Sequence, residues 1–134
     1  MQRPNGGSIV IGKHGWRHVS FHVFPSEDKL AAKVNVSNGH WSGMCDTAFL
    51  RGELHQFAQD IEKLHADTKG QAVLAQRLTP NIDMTVTGDG KGHYTAAGSV
   101  RDDFAHSNYI AFDFALDPNE LPIIVEALRA AERL

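Results

Sequence analysis

Residues Tyr109-Ile-Ala-Phe-Asp-Phe-Ala-Leu-Asp-Pro-Asn-Glu-Leu-Pro122 decide the fold. Ile110, Phe112, Phe114 and Leu116 alternate with smaller or polar residues, the period of a half-buried strand. Asp117 then stands where an N-cap belongs, Pro118 takes the first helical position, and Glu120 follows three residues after the cap. A strand therefore hands over to a capped helix with no linker. Leu121, Ile124, Val125, Leu128 and Ala131 give that helix its apolar stripe. The chain is a mixed strand and helix protein, and this stretch carries no reactive constellation.

Upstream, the same two periods recur. Ser8–Gly12 reads as a short edge strand and Trp16–Phe24 as an alternating one, broken by Pro25–Asp28. Leu30, Ala32, Val34 and Val36 define the next strand. Asn38-Gly39 predicts a type I′ hairpin, with a return strand from His40 to Asp46. Leu50, Leu54, Phe57, Ile61 and Leu64 recur at steps of three and four, so a helix follows, capped by Asp46 or Thr47 and ended by Gly70. Gln71–Leu78, the run with Ile82, Met84 and Val86, and the run with Tyr94, Ala96, Gly98 and Val100 add three strands. Gly88–Gly92 joins the last two, and Asp102–Asn108 is a polar loop. The order ββββα-ββββα predicts a single α+β domain over residues 1–134. In it, two amphipathic helices cover one face of a largely antiparallel sheet. The layout also suggests two similar halves of about 67 residues each, with little residue identity between them.

Composition narrows the function. The chain has 134 residues and a net charge of −3, from 13 basic and 16 acidic side chains. That balance gives no electrostatic footprint for nucleic acid or an anionic membrane. No apolar run approaches the roughly 20 residues of a membrane helix. The polar start Met1–Gly7 lacks the apolar region of a secretory signal. The single cysteine, Cys45, fits a reducing compartment, and a cytoplasmic protein is the expectation.

Reactive combinations are sparse. Histidine is abundant at eight residues, with His14, His18 and His22 spaced by four. On a strand His18 and His22 share a face but lie about 13 Å apart, too far for both to bind one metal directly. They are the only metal candidates, beside a plain reading as polar positions on a half-exposed strand. Cys45 with His40 and Asp46 has the residue types of a thiol catalyst, but a lone cysteine is more often a buried small hydrophobe. Gly88–Gly92 lacks the following helix and Lys-Ser/Thr pair of a phosphate loop, and the closing Glu of a calcium loop. Asp113 faces away from Phe112 and Phe114, onto the open side of the sheet. There it joins Arg101 and His93 or Thr95 as a candidate polar patch. Trp16 and Trp41 each stand near a hairpin, with core packing and a protein-binding surface as the two readings.

Short pieces in order carry a resemblance. They are Phe49-Leu-Arg-Gly-Glu-Leu54 with Phe57 and Leu64, Gly70-Gln-Ala-Val-Leu74, Gly92-His93, Gly98, and Phe112-Asp-Phe-Ala-Leu-Asp117 leading to Leu121. Over residues 49–134 the chain resembles small bacterial proteins typified by the WapI-type immunity protein. The resemblance implies a non-enzymatic protein that protects its cell from a contact-delivered or polymorphic toxin. It implies no catalytic residue and no cofactor. Mild acidity suits a basic toxin domain. The residues assigned to the partner are Trp41, Asp102, Asp103 and Asp113. Two alternatives stand beside this: a small-ligand or metal-binding protein or enzyme using His18 and His22, and a domain that self-associates, for example as a homodimer through the edge at Ser8–Gly12.

Overall fold

The computed structural model describes residues 6–13, 16–78, 80–102 and 108–134. Its strands are β1 (Gly7–Lys13), β2 (Arg17–Ser26), β3 (Lys29–Asn38), β4 (Trp41–Phe49), β5 (Lys69–Leu74), β6 (Ile82–Asp89), β7 (Tyr94–Arg101) and β8 (Tyr109–Leu116). Helix α1 (Arg51–Asp67) follows β4, and α2 (Glu120–Glu132) follows β8. The α+β class and the order ββββα-ββββα hold. The antiparallel strands divide into two four-stranded sheets, β1-β2-β3-β4 and β5-β6-β7-β8, each a meander.

Alternation builds both sheets. In the first, Ile11, Val19 and Val36 stand opposite one another across β1, β2 and β3, as do Ile9, Phe21 and Val34. In the second, Val86, Ala96 and Phe114 line up, and Ile82 pairs with Val100. These side chains are buried with Leu54, Phe57, Ile61 and Leu64 of α1 and Leu121, Ile124 and Leu128 of α2. Each large side chain taken out of water stabilises the fold by roughly 1.5–3 kcal/mol. The helices pack on each other, α1 against β5 and α2 against β1. Strand β8 packs on β3, so the second sheet meets the first through its last strand.

Several local expectations change. Pro25 does not end β2: it pairs with Leu30 near the sheet's end, and the chain turns at Glu27 with φ of 59°. In the hairpin between Asn38 and Trp41 only Gly39 has positive φ (72°), the pattern of a type II′ turn rather than type I′. Strand β4 continues to Phe49, so Asp46 and Thr47 lie inside it and Leu50 is the N-cap of α1. Leu50 has no side-chain oxygen to give, but the Glu53 carboxylate accepts its N–H at 2.9 Å, half of a capping box. Thr68, not Gly70, takes the left-handed position that ends α1 (φ 65°), and its N–H donates to the Leu64 carbonyl. Strand β5 starts at Lys69 and stops at Leu74.

Asn119, not Asp117, is the N-cap of α2 and Pro118 precedes the helix, because Asp117 and Glu120 close a turn of their own ahead of it. Asp117 Oδ1 accepts the Asn119 N–H at 2.9 Å, and Glu120 accepts the Asp117 N–H at 2.8 Å. Between β5 and β6, Gln76 acts as a clamp. Its Oε1 accepts the N–H groups of Asn81 (3.1 Å) and Ile82 (3.0 Å), while its Nε2 donates to Thr47 and to the Ala48 carbonyl on β4.

Candidate protein-binding groove

The last strand of the first sheet and the last hairpin of the second approach each other and leave a groove of about 450 Å³ between them. Val36, Trp41, Gly43 and Met44 form one wall, and Val100, Asp102, Asn108, Tyr109 and Ile110 form the other. Gly43 leaves room for the Ile110 side chain: a Cβ there would stand 2.8 Å from Ile110 Cδ1, so the end of that side chain would have to move. Asn38 Nδ2 donates to the Ala111 carbonyl at 3.0 Å and ties the walls together.

The rim is apolar and open. Trp41 is 74% exposed, Met44 61% and Tyr109 58%, although each belongs to a residue type that folding usually buries. Three such side chains around one concavity have the composition of an interface centre, with an aromatic anchor and a methionine. The Arg101 guanidinium lies over the Tyr109 ring at 5.7 Å from its centroid, which fixes the ring's inner edge. Asp102 is the charged residue among the described groove-lining residues.

The Cys45 thiol behind the groove is pushed up to about 11, by burial first and then by the carboxylates of Asp46 and Asp102. Cys45 is buried and stays protonated at neutral pH, so it packs as a small hydrophobe. On the sheet's outer surface Asp46 pairs with Lys33 at 3.2 Å, both side chains being largely exposed.

Of the residues named for the partner, Trp41 and Asp102 are brought together in the groove. Asp113 is exposed but sits on the open face of the second sheet, opposite Ala97. Asp103 lies outside the described residues. Thr95 and Arg101 share the Asp113 face at different registers, and His93 instead bonds Asp89 at 2.9 Å, so the expected polar patch is dispersed. His22 is exposed, with Ser8 Oγ 3.4 Å from its Nδ1, whereas His18 is 8% exposed and therefore not a solvent-facing position. His14 and His106 lie outside the described residues. Among the described residues no group of three or more His, Cys, Asp or Glu is placed to hold a metal ion. Among the described residues no helix is long and apolar enough to cross a membrane.

Trp16 is exposed as well, on the other side of the β3–β4 hairpin, edge-on to His40 with ring centroids 6.0 Å apart. It borders a cleft of about 710 Å³ with Ile123, where Lys13 and Arg17 face Asp117 and Glu120. Both of those carboxylates are engaged in the turn ahead of α2, and the cleft's charges balance. At the Trp41 groove the Asp102 carboxylate is not engaged in a helix turn, and Arg101 on the Tyr109 ring is the cation beside it. Met44, Tyr109 and Ile110 were missed as site residues. Met44 and Tyr109 did leave a signal, as large apolar side chains on the outward beat of their strands.

An α+β protein of two meanders with an open, apolar-rimmed groove is the class that fold and site define. The model of the immunity protein WapI-like family matches residues 23–133, and the chain belongs to that family. The match begins well before residue 49 and takes in β3, β4 and the Trp41 wall of the groove. No curated protein sequence matches the chain. A solved structure of trypanosoma bruciei MRP1/MRP2 is similar in fold, with a TM-score of 0.53 at 11% identity over 97% of this chain and 84% of that one.

Proposed function

We propose that this protein is a non-enzymatic cytoplasmic immunity protein that binds a cognate toxin domain and blocks it. Family membership supports the class of function. The observation that carries the location is the Trp41–Met44–Tyr109 rim, exposed around one groove with Asp102 on its wall. A partner that covers this rim removes apolar area from water at the centre of the contact, where binding energy concentrates. The carboxylate supplies orientation toward a basic surface and speeds encounter more than it adds affinity.

The experiment is co-expression with toxin domains of the contact-delivered and polymorphic class that this family is expected to oppose. The intact protein restores growth. The double variant Trp41→Ala/Tyr109→Ala, which changes two exposed side chains, folds normally and fails to restore it. Full protection by the double variant removes the groove from the function. Absence of protection by the intact protein removes the function itself.

A further inference from the structure

Asn81 is a buried polar residue with every polar group engaged. Its N–H donates to Gln76 Oε1 at 3.1 Å, and its carbonyl accepts the Arg101 N–H at 2.8 Å. Its side chain reaches in two directions. Oδ1 accepts the Thr47 hydroxyl of β4 at 2.9 Å, and Nδ2 donates to the Arg101 carbonyl at 3.3 Å. One side chain thus joins the last strand of the first sheet to the third strand of the second. Thr47 stands on the same face of β4 as Trp41 and the buried Cys45. Arg101, held at both its main-chain groups, pairs with Tyr109 across β7 and β8, and its guanidinium lies over that ring. Asp102 follows it directly.

Apolar contact is non-directional and lets two sheets settle at several offsets. A buried amide is stable only where each of its groups finds a partner, so it accepts one placement of β4 against β7. We propose that Asn81 is the positioning residue of the groove. It sets the Arg101–Tyr109 wall against the Trp41 wall, and so acts on partner affinity without touching the partner. Gln76 supports it, because its amide bonds Asn81 on one side and Thr47 and Ala48 on the other.

This inference rests on the immunity reading and adds which residue holds the binding groove in shape. Four variants test it. Asn81→Ala removes both side-chain bonds. Thr47→Val removes the hydroxyl at nearly the same volume, and Thr47→Ser is the conservative variant that keeps it. Ile61→Val trims the buried face of α1 and controls for lost stability alone. The first readout needs no toxin: iodoacetamide reaches Cys45 in the folded protein when the walls part locally. Asn81→Ala and Thr47→Val speed this labelling about tenfold, whereas Thr47→Ser and Ile61→Val stay near the parent rate. The second readout is calorimetry with the toxin domain that the protein protects against in co-expression. Affinity falls about tenfold for Asn81→Ala and Thr47→Val and is restored by Thr47→Ser. Labelling as fast in Ile61→Val as in Thr47→Val follows global stability and overturns the inference. Parent affinity in Asn81→Ala and Thr47→Val also overturns it, and leaves the immunity reading intact. If Asn81→Ala does not fold, the Thr47→Val and Thr47→Ser pair decides on the same terms. No complex with the parent overturns both.

Discussion

The Asn38 side chain, at the tip of the first sheet, donates a 3.0 Å hydrogen bond to the main-chain carbonyl of Ala111 in β8. Ala111 lies on the edge strand of the second sheet, so this carbonyl would otherwise face the seam between sheets. The bond links the strand that leads to Trp41 with the strand that begins at Tyr109. The same seam holds the close approach of Gly43 to the Ile110 side chain.

Replacing Asn38 with Ala leaves the Ala111 carbonyl without its protein donor and costs about 1 kcal/mol of stability. Urea unfolding measures the loss. A larger effect on toxin affinity than on stability is expected, because the bond lies at the exposed seam beside the groove while the shared core of both sheets is untouched.

Trp41→Ala separates binding from folding. The ring is 74% exposed, so the melting temperature moves little, within about 0.5 kcal/mol of stability. Toxin affinity falls by about 2 kcal/mol or more, the loss expected of a central aromatic anchor. Calorimetry and a thermal melt on the same preparation decide it. A lower melting temperature with unchanged affinity contradicts the assignment.

Acid stability depends on Asp89. The Lys91 N–H, followed by the His93 ring, holds this carboxylate at about 2, below its ordinary 3.8. Folded Asp89 resists protonation more than unfolded Asp89 does. Its contribution is therefore complete above about pH 4 and is lost as pH falls toward 2. Urea midpoints between pH 2 and 5 fall less steeply for Asp89→Ala than for the parent.

Cys45 reports on the groove from behind. With its thiol at about 11 instead of 9.0, folded protein holds about 100-fold less thiolate at pH 8 than the unfolded chain. Iodoacetamide labelling is slower by at least that factor. Asp102→Asn, which removes one of the two carboxylates acting on the thiol, speeds labelling without unfolding the protein. Equal rates for folded and unfolded chains contradict the burial.

The periods of two and of three to four were enough to locate all eight strands and both helices, because each element buries one face against the core. Boundaries failed where a local rule met a tertiary constraint. Pro25 belongs to the strand because its ring sits near the end of β2 opposite Leu30. The Gly70 expectation failed because Thr68 accepts the left-handed turn two residues earlier. Division into two sheets rests on β4 leaving the sheet for α1, which pairing periods do not encode. The groove was half legible. Trp41 and Asp102 stood out individually, but Gly43 and Ile110 touch across 67 positions of chain, a relationship only the packed fold creates.

The most direct measurement is the affinity of the purified protein for the toxin domain it protects against in co-expression, made with the parent and with Trp41→Ala/Tyr109→Ala. The account predicts a tight one-to-one complex for the parent and a loss of at least about a hundredfold for the double variant at unchanged melting temperature. Equal affinity of the two proteins, or no complex with the parent, contradicts it.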